Sequence, residues 1–164
     1  MNALWSYFWP VFALSLVVGT VAGLIAWRSA ARRWALLAAG AVAMLGVASL
    51  WHGPLGGGDR LAGTVERIAA RTLAYYEMPE VTARLQRGPL TRRMLLSGRA
   101  DEFQRGEIVR ILNGIPGVSD AFWSPRAGMP LIVEGSVVGL IGFLLGCLVA
   151  YGASLRRRGD SDWS

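Results

Sequence analysis

The chain has 164 residues, 53% of them hydrophobic, and a mean hydropathy of +0.39, which is well to the apolar side of an ordinary soluble domain. Its formal net charge of +6 comes from Arg clusters beside apolar runs and from a central region where Arg and acids are mixed. No basic stripe for a duplex results, so nucleic acid is excluded as a partner. A single His, a single Cys, no Lys, and neither a nucleophile elbow nor a phosphate loop argue against an enzyme and against a cofactor of its own.

Taken in chain order, the first segment, residues 1–54, holds two apolar runs, about 4–27 and 34–51, each long enough to cross roughly 30 Å of hydrocarbon at about 1.5 Å per residue. No Arg precedes Arg28, so the first run lacks the basic flank of a cleaved signal peptide and reads as a retained helix. A third run, about 131–152, follows in the last segment, residues 129–164. Arg28, Arg32 and Arg33 lie between the first two runs, and Arg156, Arg157 and Arg158 follow the third. The positive-inside rule places both clusters in the cytoplasm, and two crossings between them make the assignments agree. The N-terminus and the central region, residues 55–128, then face outward, into the periplasm of a bacterial inner membrane. Trp5, Tyr7 and Trp9, then Trp27 and Trp34, then Trp51 and Trp123 fall where interfacial aromatic belts belong. Cys147 lies inside the third run, so the outer domain folds without a disulfide.

Gly53-Pro54-Leu55-Gly56-Gly57-Gly58 reads as a flexible tether, after which Asp59 caps a helix with apolar positions Leu61, Val65, Ile68, Leu73 and Tyr76, ending near Glu77-Met78-Pro79. Val81, Ala83 and Leu85 alternate with Thr82, Arg84 and Gln86, as in a half-buried strand, and Arg87-Gly88-Pro89 turns the chain. A second strand puts Met94 and Leu96 inward and Arg93 outward, and ends at Ser97-Gly98. Asp101 caps a second helix, to about Asn113, with Phe103, Ile108, Ile111 and Leu112 as its apolar stripe. A short strand over residues 118–123 completes an αββαβ order, so the fold class is three transmembrane helices plus a small α+β extramembrane domain.

Leu95-Leu96-Ser97-Gly98, a helix, and then Ile115-Pro116-Gly117-Val118 before a strand together resemble the BON domain of bacterial envelope proteins, over about residues 60–124. The resemblance implies an αββαβ fold and a non-catalytic module that binds phospholipid surfaces or partner proteins. The distance from Gly88 to Gly98 exceeds that of the usual BON hairpin, so a longer or differently registered hairpin is expected.

Several residues invite a role. His52 at the end of the second run is either an interfacial imidazole beside Trp51 or a weak cofactor candidate, for haem or a pigment, with Ala48 one turn earlier leaving room for a macrocycle. Glu134 sits within one turn of a helix start and reads as a boundary or interhelix contact rather than a proton site. Small residues recur at four-residue spacing: Gly19 and Gly23; Ala35, Ala39 and Ala43; Gly135 and Gly139, with Gly142 and Gly146. Such faces let helices approach closely, and the third helix offers more of this surface than two short neighbours are expected to need. The expected function is therefore a non-enzymatic accessory subunit of a larger inner-membrane complex, its partners other membrane subunits or a second copy. The alternative is an envelope-integrity module whose Arg84, Arg92 and Arg93 engage anionic lipid.

Overall fold

A computed structural model of the chain describes residues 3–124 and 128–161; of Ala30 and residues 157–161 it gives the backbone alone. In chain order the elements are α1 (Ala3–Ala26), a 3-10 turn (Ala30–Arg32), α2 (Arg33–His52), α3 (Gly57–Tyr75), β1 (Val81–Arg87), β2 (Leu90–Gly98), α4 (Glu102–Asn113), β3 (Asp120–Phe122) and α5 (Leu131–Ser161). Three of these helices, α1, α2 and the Leu131–Arg156 part of α5, are long and apolar enough to cross a membrane. The chain divides into two compact units, one of residues 55–134 with the start of the chain to Tyr7, the other of residues 8–54 with 135 onward.

In the helical unit, glycine decides how the helices meet. A Cβ at Gly142 would lie 2.7 Å from the Phe12 carbonyl oxygen, and one at Gly146 would collide with the Leu16 carbonyl and come 2.6 Å from the Thr20 nitrogen. A Cβ at Gly23 would stand 2.7 Å from the Ala150 Cβ, and one at Gly19 would run into the Phe143 backbone. Backbone thus lies against backbone, the approach that small residues permit. Residue numbers rise together along this contact, from Phe12 beside Gly142 to Trp27 beside Tyr151, whose rings are 5.0 Å apart, so α1 and α5 run parallel. α2 runs the other way: Gly40 meets Ala22 and Phe143, while Met44 meets Gly139. Cys147 Sγ donates to the Gly19 carbonyl across the same seam at 3.4 Å.

The second unit has the expected αββαβ order. Its sheet runs β1-β2-β3, with β1 antiparallel and β2-β3 parallel. α3 lies along β1 and α4 along β3. Leu61, Val65 and Leu73 of α3, Val81, Ala83 and Leu85 of β1, Met94 and Leu96 of β2, and Ile108 and Leu112 of α4 are all buried. Alternation in the strands and a near-four-residue repeat in the helices account for this. Asp101 caps α4 as expected, its Oδ1 accepting from Gln104 N at 2.7 Å while Gln104 Oε1 accepts from Asp101 N.

Both motif glycines hold positions that only glycine fills without strain. Gly98 has φ +127, and a Cβ there would strike the Glu80 carbonyl, which ends β2. Gly117 has φ +112 in a turn closed by Val118 N–H to the Ile115 carbonyl at 3.0 Å, with Pro116 before it, and a Cβ there would lie 2.6 Å from Val65 Cγ2.

Some expectations are corrected. Gly57 and Gly58 form the first turn of α3 instead of a tether, with Gly56 at φ +70 as its N-cap, so Asp59 is a first-turn acid rather than the cap. Tyr76 and Phe103 are exposed, because Ala62 and Ala69 fill the α3 face and Phe103 lies in the first turn of α4, off its buried side. In the hairpin, register is regular from Val81↔Gly98 to Leu85↔Met94, then slips so that Arg87 opposes Leu90. The slip carries Thr91 to a bridge with Pro130. α5 also continues past residue 152, since nothing in the sequence stops it before the Arg cluster.

Candidate functional site

The αββαβ unit carries a groove of about 700 Å³ between α3 and the outer edge of β1. Ala70 and Ala74 line its helical wall, Leu73 and Met78 its floor, and Val81 to Arg84 its strand wall. Its depth follows from side-chain size, since two alanines and Ala83 stand where longer residues would fill the space. Glu66 closes one end. Its carboxylate accepts from Leu85 N–H at 2.9 Å and from Arg87 Nη2 at 3.0 Å, and Asp59 adds a longer pairing to Arg87 at 3.7 Å.

At the other end α3 terminates in a Schellman motif: Met78 N–H reaches the Leu73 carbonyl at 3.0 Å and Glu77 N–H the Ala74 carbonyl at 3.1 Å. The residue between them in left-handed conformation is Glu77, at φ 55, where glycine is the usual occupant. Its side chain lines the groove mouth. Nothing in the sequence pattern marks this groove, because Ala70 and Ala74 of α3 and the edge of β1 form a wall pair only once the two elements lie side by side.

The hairpin arginines separate. Arg92 Nη1 donates to Glu134 Oε2 at 2.8 Å in a half-buried pair that ties β2 to the first turn of α5. The Arg93 stem passes over Gly128, where a Cβ would stand 2.8 Å from its Cδ. Of the three, Arg84 is exposed, while Arg92 and Arg93 are half-buried. On the far side of the unit, Arg105 lies 5.0 Å over the Trp123 ring, whose Nε1 donates to the Arg105 carbonyl.

The small-residue faces also separate. Gly19, Gly23, Gly135, Gly139, Gly142 and Gly146 are all buried, so the glycine surface of α5 is not spare but consumed inside the chain. On α2 the buried positions are Gly40, Met44 and Ala48, one face away from Ala35, Ala39 and Ala43, which are exposed. Each helix carries small residues on several faces, and the face that packs is the one whose larger member, Met44, fills the space beside Gly139.

His52 occupies the last turn of α2, and Gly53 N–H closes back on the Ser49 carbonyl. Ala48 is 3% exposed, so the open face for a macrocycle is not there. Among the described residues no group of three His, Cys, Asp or Glu could hold a metal ion. Arg28, Arg32 and Arg33 follow Trp27, and Arg156 follows Tyr151; the Trp27–Tyr151 contact therefore sets both basic clusters at one end of the helical unit. The side chains of Arg157 and Arg158 lie outside the described residues. Compared with known proteins, the chain matches no family model, no curated protein and no solved structure.

Proposed function

We propose that the chain is a non-enzymatic accessory subunit of a larger bacterial inner-membrane complex, with α1, α2 and α5 crossing the bilayer and the αββαβ unit, read as a BON-like module, facing outward. The observation that carries the reading is the exposed Ala35, Ala39, Ala43 face of α2. α1 and α5 spend their glycines on each other, whereas this face of α2 keeps a smooth surface for another helix. Alternating helix directions and basic clusters at one end support three crossings with the arginines inside. The αββαβ order and the glycines at positions 98 and 117 support the BON-like reading.

The test is co-purification from the native membrane in mild detergent, followed by a native gel and mass spectrometry of co-migrating chains. Ala39→Leu with Ala43→Leu should release the protein from its assembly while leaving its own three helices packed. A lone small species in the unsubstituted protein would sink the subunit reading. The lipid-surface alternative is weaker with Arg92 committed to Glu134, and salt-independent liposome binding would remove it.

A further inference from the structure

We infer that the groove between α3 and β1 is a strand-addition site that takes an extended peptide segment of a partner protein, apolar at its centre and cationic at the end beside Glu77; this deepens the accessory-subunit reading by naming how the outer unit would hold a partner.

The first argument is the strand edge. β1 is an outer strand, bonded to β2 on one side only. Two of its N–H groups already point away from β2: Val81 N–H reaches the Met78 carbonyl at 3.3 Å and Leu85 N–H the Glu66 carboxylate at 2.9 Å. Register is regular from Val81 to Leu85, so by the two-residue period Ala83 also turns its N–H and carbonyl outward, into the groove. Glu66 fills at Leu85 the place that an incoming peptide carbonyl would fill at Ala83. A helix beside such an edge forms the geometry in which a peptide adds a strand, its backbone bonded to the edge and alternate side chains sunk between strand and helix.

The second argument is fit. Leu73 and Met78 with the methyls of Ala70 and Ala74 offer an apolar bed. Along α3 the rise from Glu66 to Tyr75, the last helical residue, is about 13.5 Å at 1.5 Å per residue, close to the four steps of a five-residue strand at roughly 3.3 Å each. Glu77 at the mouth stands in no ion pair among the described residues, which favours a cation at that end of the segment, whereas Glu66 at the other end is already paired with Arg87 and Arg84 stands in the strand wall. Glu66 is shared with Leu85 and Arg87, so Glu77 has the greater capacity for a ligand. Its left-handed backbone holds the carboxylate at the mouth where glycine would be the less strained choice, a cost of the kind found at binding sites.

The experiment uses the purified full-length chain in detergent and a fluorescein-labelled peptide, Arg-Thr-Val-Thr-Arg, whose Val and Arg side chains share one face, read by anisotropy. Saturable binding is expected, weakened roughly tenfold or more when the peptide's backbone is N-methylated at alternate residues, because the ladder to Ala83 is then blocked. Ala74→Trp, which fills the groove, should abolish binding. Glu77→Gln, an exposed change that leaves the fold intact, should weaken it several-fold and reduce its salt dependence. Equal binding of the N-methylated peptide, no saturable binding up to millimolar peptide, or displacement by anionic vesicles but not by unlabelled peptide would each overturn the inference. Peptide binding by a protein that purifies without co-migrating chains would keep the groove and discard the assembly.

Discussion

The two units hold together by different means. In the helical unit the closest approaches are backbone to backbone, at Gly142 against Phe12 and Gly146 against Leu16, with large apolar side chains such as Leu144 and Leu148 turned outward. In the αββαβ unit the interior is side chain against side chain, Met94, Leu96, Ile108 and Leu112 being 1% exposed or less. The ends there are fixed by polar devices: the Asp101 and Gln104 box, and Glu66 on Leu85. Outward Leu and inward Gly suit a hydrocarbon solvent that gives no hydrophobic drive between helices, whereas inward Leu and Met suit water. The same residue types therefore carry opposite meanings in the two halves.

That contrast yields its largest expected effect at Met94. Truncation to Ala leaves a cavity at a fully buried site and should cost the αββαβ unit about 2–5 kcal/mol, measured by denaturant unfolding followed by hydrogen exchange of the β1 and β2 amides. The helical unit should respond to the reverse operation. Gly146→Leu drives a side chain into the Leu16 and Thr20 backbone and should cost about 1–3 kcal/mol or more, whereas Gly46→Leu, with open space before its Cβ, should be nearly neutral. Thermal melts in detergent compare the two; equal losses would mean that the glycine seam is not what joins α1 to α5.

How far the sequence discloses this depends on the kind of signal. Strand alternation at Val81, Ala83 and Leu85, the Asp101 cap and the three apolar runs are local patterns, and each is found in place. Gly57 and Gly58 mislead because a glycine run in a helix's first turn is compositionally the same as a linker. The α2 face misleads because Ala35, Ala39, Ala43 and Gly40, Met44, Ala48 share one spacing, and only the neighbour's shape chooses between them. The groove is silent in the sequence since Ala70, Ala74 and Ala83 acquire meaning only when α3 and β1 are brought side by side.

Smaller effects sharpen the comparison within the αββαβ unit. Glu77→Gly removes a left-handed non-glycine residue and should raise stability by about 0.5–1 kcal/mol in the same denaturant assay. If the groove is a binding site, the stabilised variant should bind the peptide less well, the expected sign of a stability cost retained for function.

The smallest effect lies at the surface of α4. Arg110 donates to Glu107 from one turn away, and that hydrogen bond, with the guanidinium charge, holds the Glu107 carboxyl below its ordinary range and raises Arg110 above its own. A carboxyl lowered in the folded state contributes stability that is complete above its unfolded pKa and is lost as pH falls through the lower folded value. Both groups stand in solvent, so the contribution is screened and global unfolding should scarcely register it. A carboxyl-carbon NMR titration of Glu107 reads it directly. The midpoint should sit below that of an unpaired Glu, and Arg110→Gln should return it to the ordinary range; a midpoint unmoved by that substitution would mean that the pair exerts no hold on the carboxyl in solution.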